Sequence, residues 1–284
     1  MSIDRVLVVG VGFMGHGIAQ AAAVAGRTVL VHEPDIARAT AGRERIAANL
    51  TRLVDKGRLD ATERDAILAR IEVLADLDEL PPVDLAVEAA PEDAALKAGV
   101  LARVDAVLPS DAILATNTSS ISIDGLAAAI GETRRPRFLG LHFFSPVPIM
   151  PLVEIVHGSA TDPATLEAAR GFAESLGKRT VASADRPGFI VNRMLMPFLA
   201  EAIRILEEGT ATAEDIDAGA KLGLNHPMGP LELADFIGLD VCLGVMRVLE
   251  ADLGPAYAPP ATLVGLVEAG HLGRKSGRGF HAYG

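Results

Sequence analysis

The chain has 284 residues, half of them hydrophobic, enough to build one large core or two moderate ones. Its formal net charge of −11 argues against nucleic acid or an anionic membrane surface as partner, and no apolar run reaches membrane-spanning length, since Asn192, Arg193 and Glu201 interrupt the nearest one, 189–202. The single cysteine, Cys242, excludes an internal disulfide and reads as a small buried helix residue; with the first strand starting almost at once, no leader is expected and the expected compartment is the cytoplasm.

The first element is an apolar strand, 6–9, which runs directly into Gly10-Val-Gly12-Phe13-Met14-Gly15 and then an Ala-rich helix. In such a turn Gly10 permits the tight bend, Gly12 lets the backbone approach a pyrophosphate, and Gly15 lets helix and strand pack closely. A second strand, 28–32, ends at Glu33, 18 residues past Gly15. That is close to the roughly 20 expected of an acid that binds an adenosine ribose. A carboxylate there repels a 2′-phosphate, so NAD is the expected cofactor; Arg27 and Arg38 keep NADP as the less favoured one.

Residues 36–58 hold six cations (Arg38, Arg43, Arg45, Arg52, Lys56, Arg58) against Glu44 and Asp55. They read as a solvated helix face or as an anion-binding rim. Further strands are predicted at 84–87, 112–115, 138–141, 152–156 and 180–182, with helical stretches between. Such alternation predicts a Rossmann-type, doubly wound, mostly parallel sheet with ligands at the carboxyl ends of its strands. There lie Glu33, the Glu88–Glu92 stretch, Asn117–Ser120 and His142.

The texture changes after Asp185-Arg-Pro187-Gly188, and the division read from it is 1–185 and 186–284. Helices are predicted at 189–208, 212–222 (with Thr212 as N-cap), 231–237, 241–253 and 262–268. Some 100 residues of short apolar helices enclose little volume of their own. They are expected to pack on the first domain and on a second copy, giving a homodimer or an assembly of dimers.

His142, leaving a strand at the cofactor edge, is placed to act as a general base, with a structural histidine as the alternative. Glu154 follows 12 residues later inside an apolar strand, where a lone acid needs a partner. His142 is the obvious one, since a carboxylate on one ring nitrogen fixes the tautomer and steadies the cation formed at the other. Asn117 to Ser120 could bond a substrate oxygen or the nicotinamide ribose, or simply form a capped turn. Asn192 is polar where the pattern asks for an apolar residue. No metal-ligand spacing stands out, and none is needed for hydride transfer.

Several stretches occur together and in order: Gly10-Val-Gly-Phe-Met-Gly-His-Gly-Ile-Ala19, Val87-Glu-Ala89, Thr116-Asn-Thr-Ser-Ser120, His142-Phe-Phe-Ser-Pro-Val147, Pro151-Leu-Val-Glu154, Pro187-Gly-Phe-Ile-Val-Asn-Arg193, Pro227-Met-Gly-Pro230 and Gly277-Arg-Gly-Phe280. With them the chain resembles the L-3-hydroxyacyl-CoA dehydrogenase family, in its bacterial 3-hydroxybutyryl-CoA branch, over essentially its whole length. The resemblance implies NAD-dependent oxidation of an acyl-CoA thioester, with His142 as general base and Glu154 as its paired acid. It implies Ser119 and Asn192 around the reacting oxygen, Glu33 on the ribose, and Glu92, Lys97 and Lys275 lining the cofactor. Lys56 falls where the family binds coenzyme A, and Asn49 stands where some members have a second, serine contact.

Two departures accompany the match. Ser145 replaces a common Asn on the nicotinamide side, where a shorter side chain weakens that bond or routes it through water. His16 replaces a smaller residue and is expected to point to solvent. Two alternatives remain at this point: a dehydrogenase of a free hydroxy acid, of the L-gulonate or carnitine type, and a non-catalytic cofactor-binding protein.

Overall fold

The computed structural model describes residues 2–284, which divide into two compact units, one through Arg186 and the other from Pro187 to Gly284.

The first unit is an eight-stranded sheet in the order β3-β2-β1-β4-β5-β6-β7-β8. In chain order it comprises β1 (Arg5–Val9), α1 (Gly15–Val24), β2 (Thr28–His32), α2 (Ile36–Asp55), α3 (Ala61–Leu68), β3 (Ile71–Val73), β4 (Leu85–Glu88), α4 (Ala94–Asp105), β5 (Ile113–Thr116), α5 (Ile123–Ala127), β6 (Phe138–Phe143), β7 (Leu152–His157), α6 (Pro163–Ser175) and β8 (Arg179–Ala184). Strands β1, β2, β4 and β5 are fully apolar on both faces apart from their ends, as parallel strands covered by helices must be. The alanines of α1 let it lie close on this sheet, with Ala19, Ala22 and Ala23 fully buried. Asp35, Asp60 and Asp93 cap α2, α3 and α4 by accepting from backbone N–H groups in the first turn.

One pair breaks the parallel pattern. β6 and β7 are antiparallel, while β7 and β8 are parallel to each other around α6. Residues 144–151 connect β6 to β7, and eight residues are too few for a crossover, so the chain must turn back beside itself. The consequence for the site is direct, because the register sets His142 opposite Glu154. His142 thus lies within β6 rather than after it, since the strand runs two residues further than the sequence predicts. The edge strand β3 is absent from the sequence reading: Ile-Glu-Val is too short to carry a period-two signal.

The second unit is helical: α7 (Val191–Glu207), α8 (Ala213–Gly223), α9 (Pro230–Ile237), α10 (Leu239–Leu253) and α11 (Ala261–Glu268). These are the predicted helices to within two residues at each end. Thr212 caps α8, accepting from Asp215 N–H. The core of this unit is built from Met196, Leu199, Ile203, Leu239, Met246 and Leu249 together with Cys242. Among the described residues no helix is long and apolar enough to cross a membrane.

Candidate active site

At the end of β1 the backbone enters the left-handed region at Gly10 (φ 92°), where a Cβ would lie 2.7 Å from the Ala89 backbone. A Cβ on Gly15 would overlap the Gly10 carbonyl oxygen. Gly12 is the opposite case: a Cβ there would meet no atom within 4 Å. The loop is thus closed on the protein side and open on the outer side at Gly12. Met14 precedes the first turn of α1, no side chain caps that turn, and no acid stands in it. Phe13 beside it is exposed. A glycine loop that leads into a helix whose first turn holds neither a side-chain cap nor an acid fits a dinucleotide pyrophosphate.

Glu33 Oε1 accepts from Val11 N–H at 2.7 Å, tying the end of β2 to the glycine loop. His16 does not point away as expected: its Nδ1–H donates to Gly12 O at 2.7 Å, an i to i−4 contact that holds the ring against the loop.

The ends of β4 and β5 are organised by a buried ion pair. Lys97 and Glu88 are both wholly inaccessible. Lys97 Nζ donates to both Glu88 oxygens, at 2.9 and 3.1 Å, and to Ala90 O at 3.0 Å. Glu88 also accepts from Ala90 N–H and Thr116 Oγ1–H. Every polar atom of the pair is bonded, the condition under which a buried pair is tolerated. Glu92 Oε2 lies 3.7 Å from the same ammonium. Its Oε1 gathers the next turn, accepting from Thr118 Oγ1–H at 2.7 Å, Ser119 N–H at 2.8 Å and Ser120 N–H at 3.1 Å. The Asn117 side chain serves the protein itself, its Oδ1 accepting from Phe143 N–H at 3.0 Å.

That last bond reaches the residue next to His142. His142 Nδ1 lies 2.6 Å from Glu154 Oε2, and the two residues are 5% and 0% exposed. Because the carboxylate accepts, Nδ1 carries the hydrogen of this bond. The Phe144 ring packs against the imidazole in a tilted arrangement, with ring centroids 4.5 Å apart. Ser145 follows in the 144–151 loop, half-buried.

Glu33 is thus bonded to the glycine loop, Glu88, Lys97, Glu92 and Ser119 form a second bonded group, and Asn117 bonds the backbone next to the His142–Glu154 pair. Lys56 and Asn49 stand apart on α2. Lys56 is exposed just past its end, and Asn49 Nδ2–H donates to Gln20 Oε1. In the second unit Asn192 occupies the first turn of α7 and Lys275 pairs with Asp240 in the C-terminal loop. Glu88, which the sequence reading named only as part of the Glu88–Glu92 stretch and gave no role, is the buried partner of Lys97. The argument that flagged Glu154, an acid inside an apolar strand, applies equally to Glu88. Among the described residues no group of His, Cys, Asp and Glu could hold a metal ion.

Residues 5–186 match the 3-hydroxyacyl-CoA dehydrogenase NAD binding domain, and residues 188–283 match the C-terminal domain of the same family. The chain belongs to the 3-hydroxyacyl-CoA dehydrogenase family. It is an NAD-dependent dehydrogenase. A 3-hydroxybutyryl-CoA dehydrogenase of Mycobacterium tuberculosis is 48% identical over 286 residues, covering 99% of this chain and 99% of that protein. One from Bradyrhizobium diazoefficiens is 49% identical, over 99% of this chain and 96% of its own. The crystal structure of (S)-3-hydroxybutyryl-CoA dehydrogenase PaaH1 from Ralstonia eutropha superposes with a TM-score of 0.95 at 44% identity, each chain covered completely.

Proposed function

We propose that this dehydrogenase oxidises a short-chain (3S)-3-hydroxyacyl-CoA, of the 3-hydroxybutyryl-CoA kind, to the 3-oxoacyl-CoA, and runs in either direction. The observation that carries the reading is the His142–Glu154 pair at 2.6 Å, buried beside a cofactor cradle. NAD+, when bound, supplies the acceptor for the hydride that leaves C3. His142 Nε2 takes the hydroxyl proton as the C3–O bond becomes a carbonyl, and returns it in the reverse reaction. Glu154 holds Nδ1–H, so that the basic lone pair sits on Nε2, and stabilises the imidazolium once formed.

Ser119 and Asn192 hold the substrate around its reacting oxygen, and Glu33 holds the ribose. Glu92, Lys97, Ser145 and Lys275 shape the nicotinamide side, with Lys97 acting through the buried pair. Lys56, beside Asn49, supplies a cation for the phosphates of coenzyme A. In this reading residues 1–185 are the NAD-binding domain and 186–284 the helical substrate and dimerisation domain, giving a homodimer or an assembly of dimers. The proposed compartment is the cytoplasm, where a lone cysteine stays reduced.

The test is NADH oxidation followed at 340 nm with acetoacetyl-CoA and, separately, with free acetoacetate. Turnover with the thioester alone supports the reading. Turnover with neither would turn attention to other hydroxy acids.

A further inference from the structure

Lys178 sits between α6 and β8, at the turn made by Gly177 (φ 75°), and only 8% of it is exposed. Its Nζ donates to Val147 O at 2.6 Å and to Met150 O at 2.9 Å. Among the described residues no carboxylate lies within ion-pair distance of it. Burial pushes its pKa below the ordinary lysine value of 10.5. A buried ammonium held by main-chain carbonyls rather than by a carboxylate is a costly arrangement, and a structural anchor would be simpler to build from an apolar side chain.

What the ammonium holds is the 144–151 loop, the one connection between the strand of His142 and the strand of Glu154. The carbonyls it binds lie at either end of the turn in which Ile149 and Met150 N–H both donate to Pro146 O, at 2.9 Å each. The adjoining backbone bond, Arg179 N–H to Pro151 O, fastens the loop's far end to β8. The loop also presses on the cofactor helix. Val147 is buried in the core, and a Cβ at Gly17 of α1 would lie 2.9 Å from Val147 Cβ. One buried cation therefore holds a loop that carries Ser145, abuts the dinucleotide helix and joins the two strands of the His142–Glu154 pair.

We propose that Lys178 is a positioning residue for hydride transfer, acting through the carbonyls of Val147 and Met150 on the 144–151 loop. This rests on the dehydrogenase reaction proposed above for His142 and Glu154. Lys178 does not touch substrate. Its effect is on the geometry in which Ser145 and the imidazole meet the reacting atoms, and small misplacements there reduce rate steeply.

Two measurements on Lys178→Met and Lys178→Arg test it. Hydrogen exchange of the 144–151 peptide needs no substrate; the Met variant should exchange at least about tenfold faster there and elsewhere as wild type, because both anchoring bonds are gone. In steady-state reduction of acetoacetyl-CoA, kcat of the folded Met variant should fall at least about tenfold, with KM changed less than about threefold. The isotope effect with NADH deuterated at the transferred position should rise, and Arg, still a cationic donor, should recover most of kcat. A folded Met variant with wild-type loop exchange, or with wild-type kcat and isotope effect, overturns the proposal whatever its melting temperature. If Met prevents folding, Lys178→Gln is put through the same two measurements with the same criteria. Wild-type protein without turnover would count against the substrate reading, and the exchange result would still decide whether Lys178 anchors the loop.

Discussion

His142 and Glu154 are directly opposed residues of the antiparallel pair β6–β7, joined from Nδ1 to Oε2 at 2.6 Å with both side chains buried. Register and chemistry coincide here: the only antiparallel step in an otherwise parallel sheet is the one that brings an acid beside the histidine. His142→Gln should therefore lower kcat by about three orders of magnitude or more while NADH affinity changes little. Glu154→Gln should be nearly as damaging, since an amide can donate to Nδ1 and favour the wrong tautomer. Stopped-flow turnover and NADH fluorescence titration separate the two quantities. Near wild-type turnover in the His142 variant would remove it from the mechanism.

The buried Glu88–Lys97 pair makes a different prediction. Removing Lys97 leaves Glu88 without its counter-charge in a buried site, and removing Glu88 leaves Lys97 only the more distant Glu92 at 3.7 Å. Glu88→Gln or Lys97→Met should each destabilise the fold by about 3–5 kcal/mol. The double variant should lose less than the sum, because neither charge remains. Urea denaturation of the four proteins checks this. Additive losses would mean the two groups do not act as a unit.

Much of this site was legible before any coordinates. The glycine spacing and Glu33 identified the cofactor cradle because each residue there meets a distinct steric or electrostatic demand. Glu154 announced its partner because an isolated acid in Leu-Val-Glu-Ile-Val is otherwise unaffordable. The rest depended on facts that sequence spacing does not encode. The antiparallel turn is set by a loop length whose meaning appears only once both strand ends are known. Glu88 and Lys97 lie nine residues apart, on a strand and on the helix after it, so no single-element periodicity joins them. The orientation of His16 depended on one carbonyl, Gly12 O, four residues back.

Cofactor choice follows from the Glu33 geometry. One oxygen is committed to Val11 N–H, so the carboxylate is held in place beside the loop and cannot swing aside for a 2′-phosphate. We expect kcat/KM for NADH to exceed that for NADPH by at least about tenfold. Glu33→Ala should narrow the ratio, mainly by raising KM for NADH. A wild-type preference for NADPH would refute the role given to Glu33.

Cys242 carries the last prediction. Burial in the helical core, aided by the nearby charge of Asp240, pushes its thiol from 9.0 up to about 12. The folded protein therefore keeps the proton that the unfolded chain gives up. A raised folded-state value adds stability that is fully present below pH 9 and is lost as pH climbs from 9 toward 12. The difference in unfolding free energy between wild type and Cys242→Ala should shrink above pH 9, by at most about 1.4 kcal/mol per pH unit. Other titrations cancel in that difference. At pH 8 the thiol should also resist a disulfide reagent until denaturant is added. A pH-independent difference, together with prompt labelling of the native protein, would show that Cys242 is not held neutral by the core.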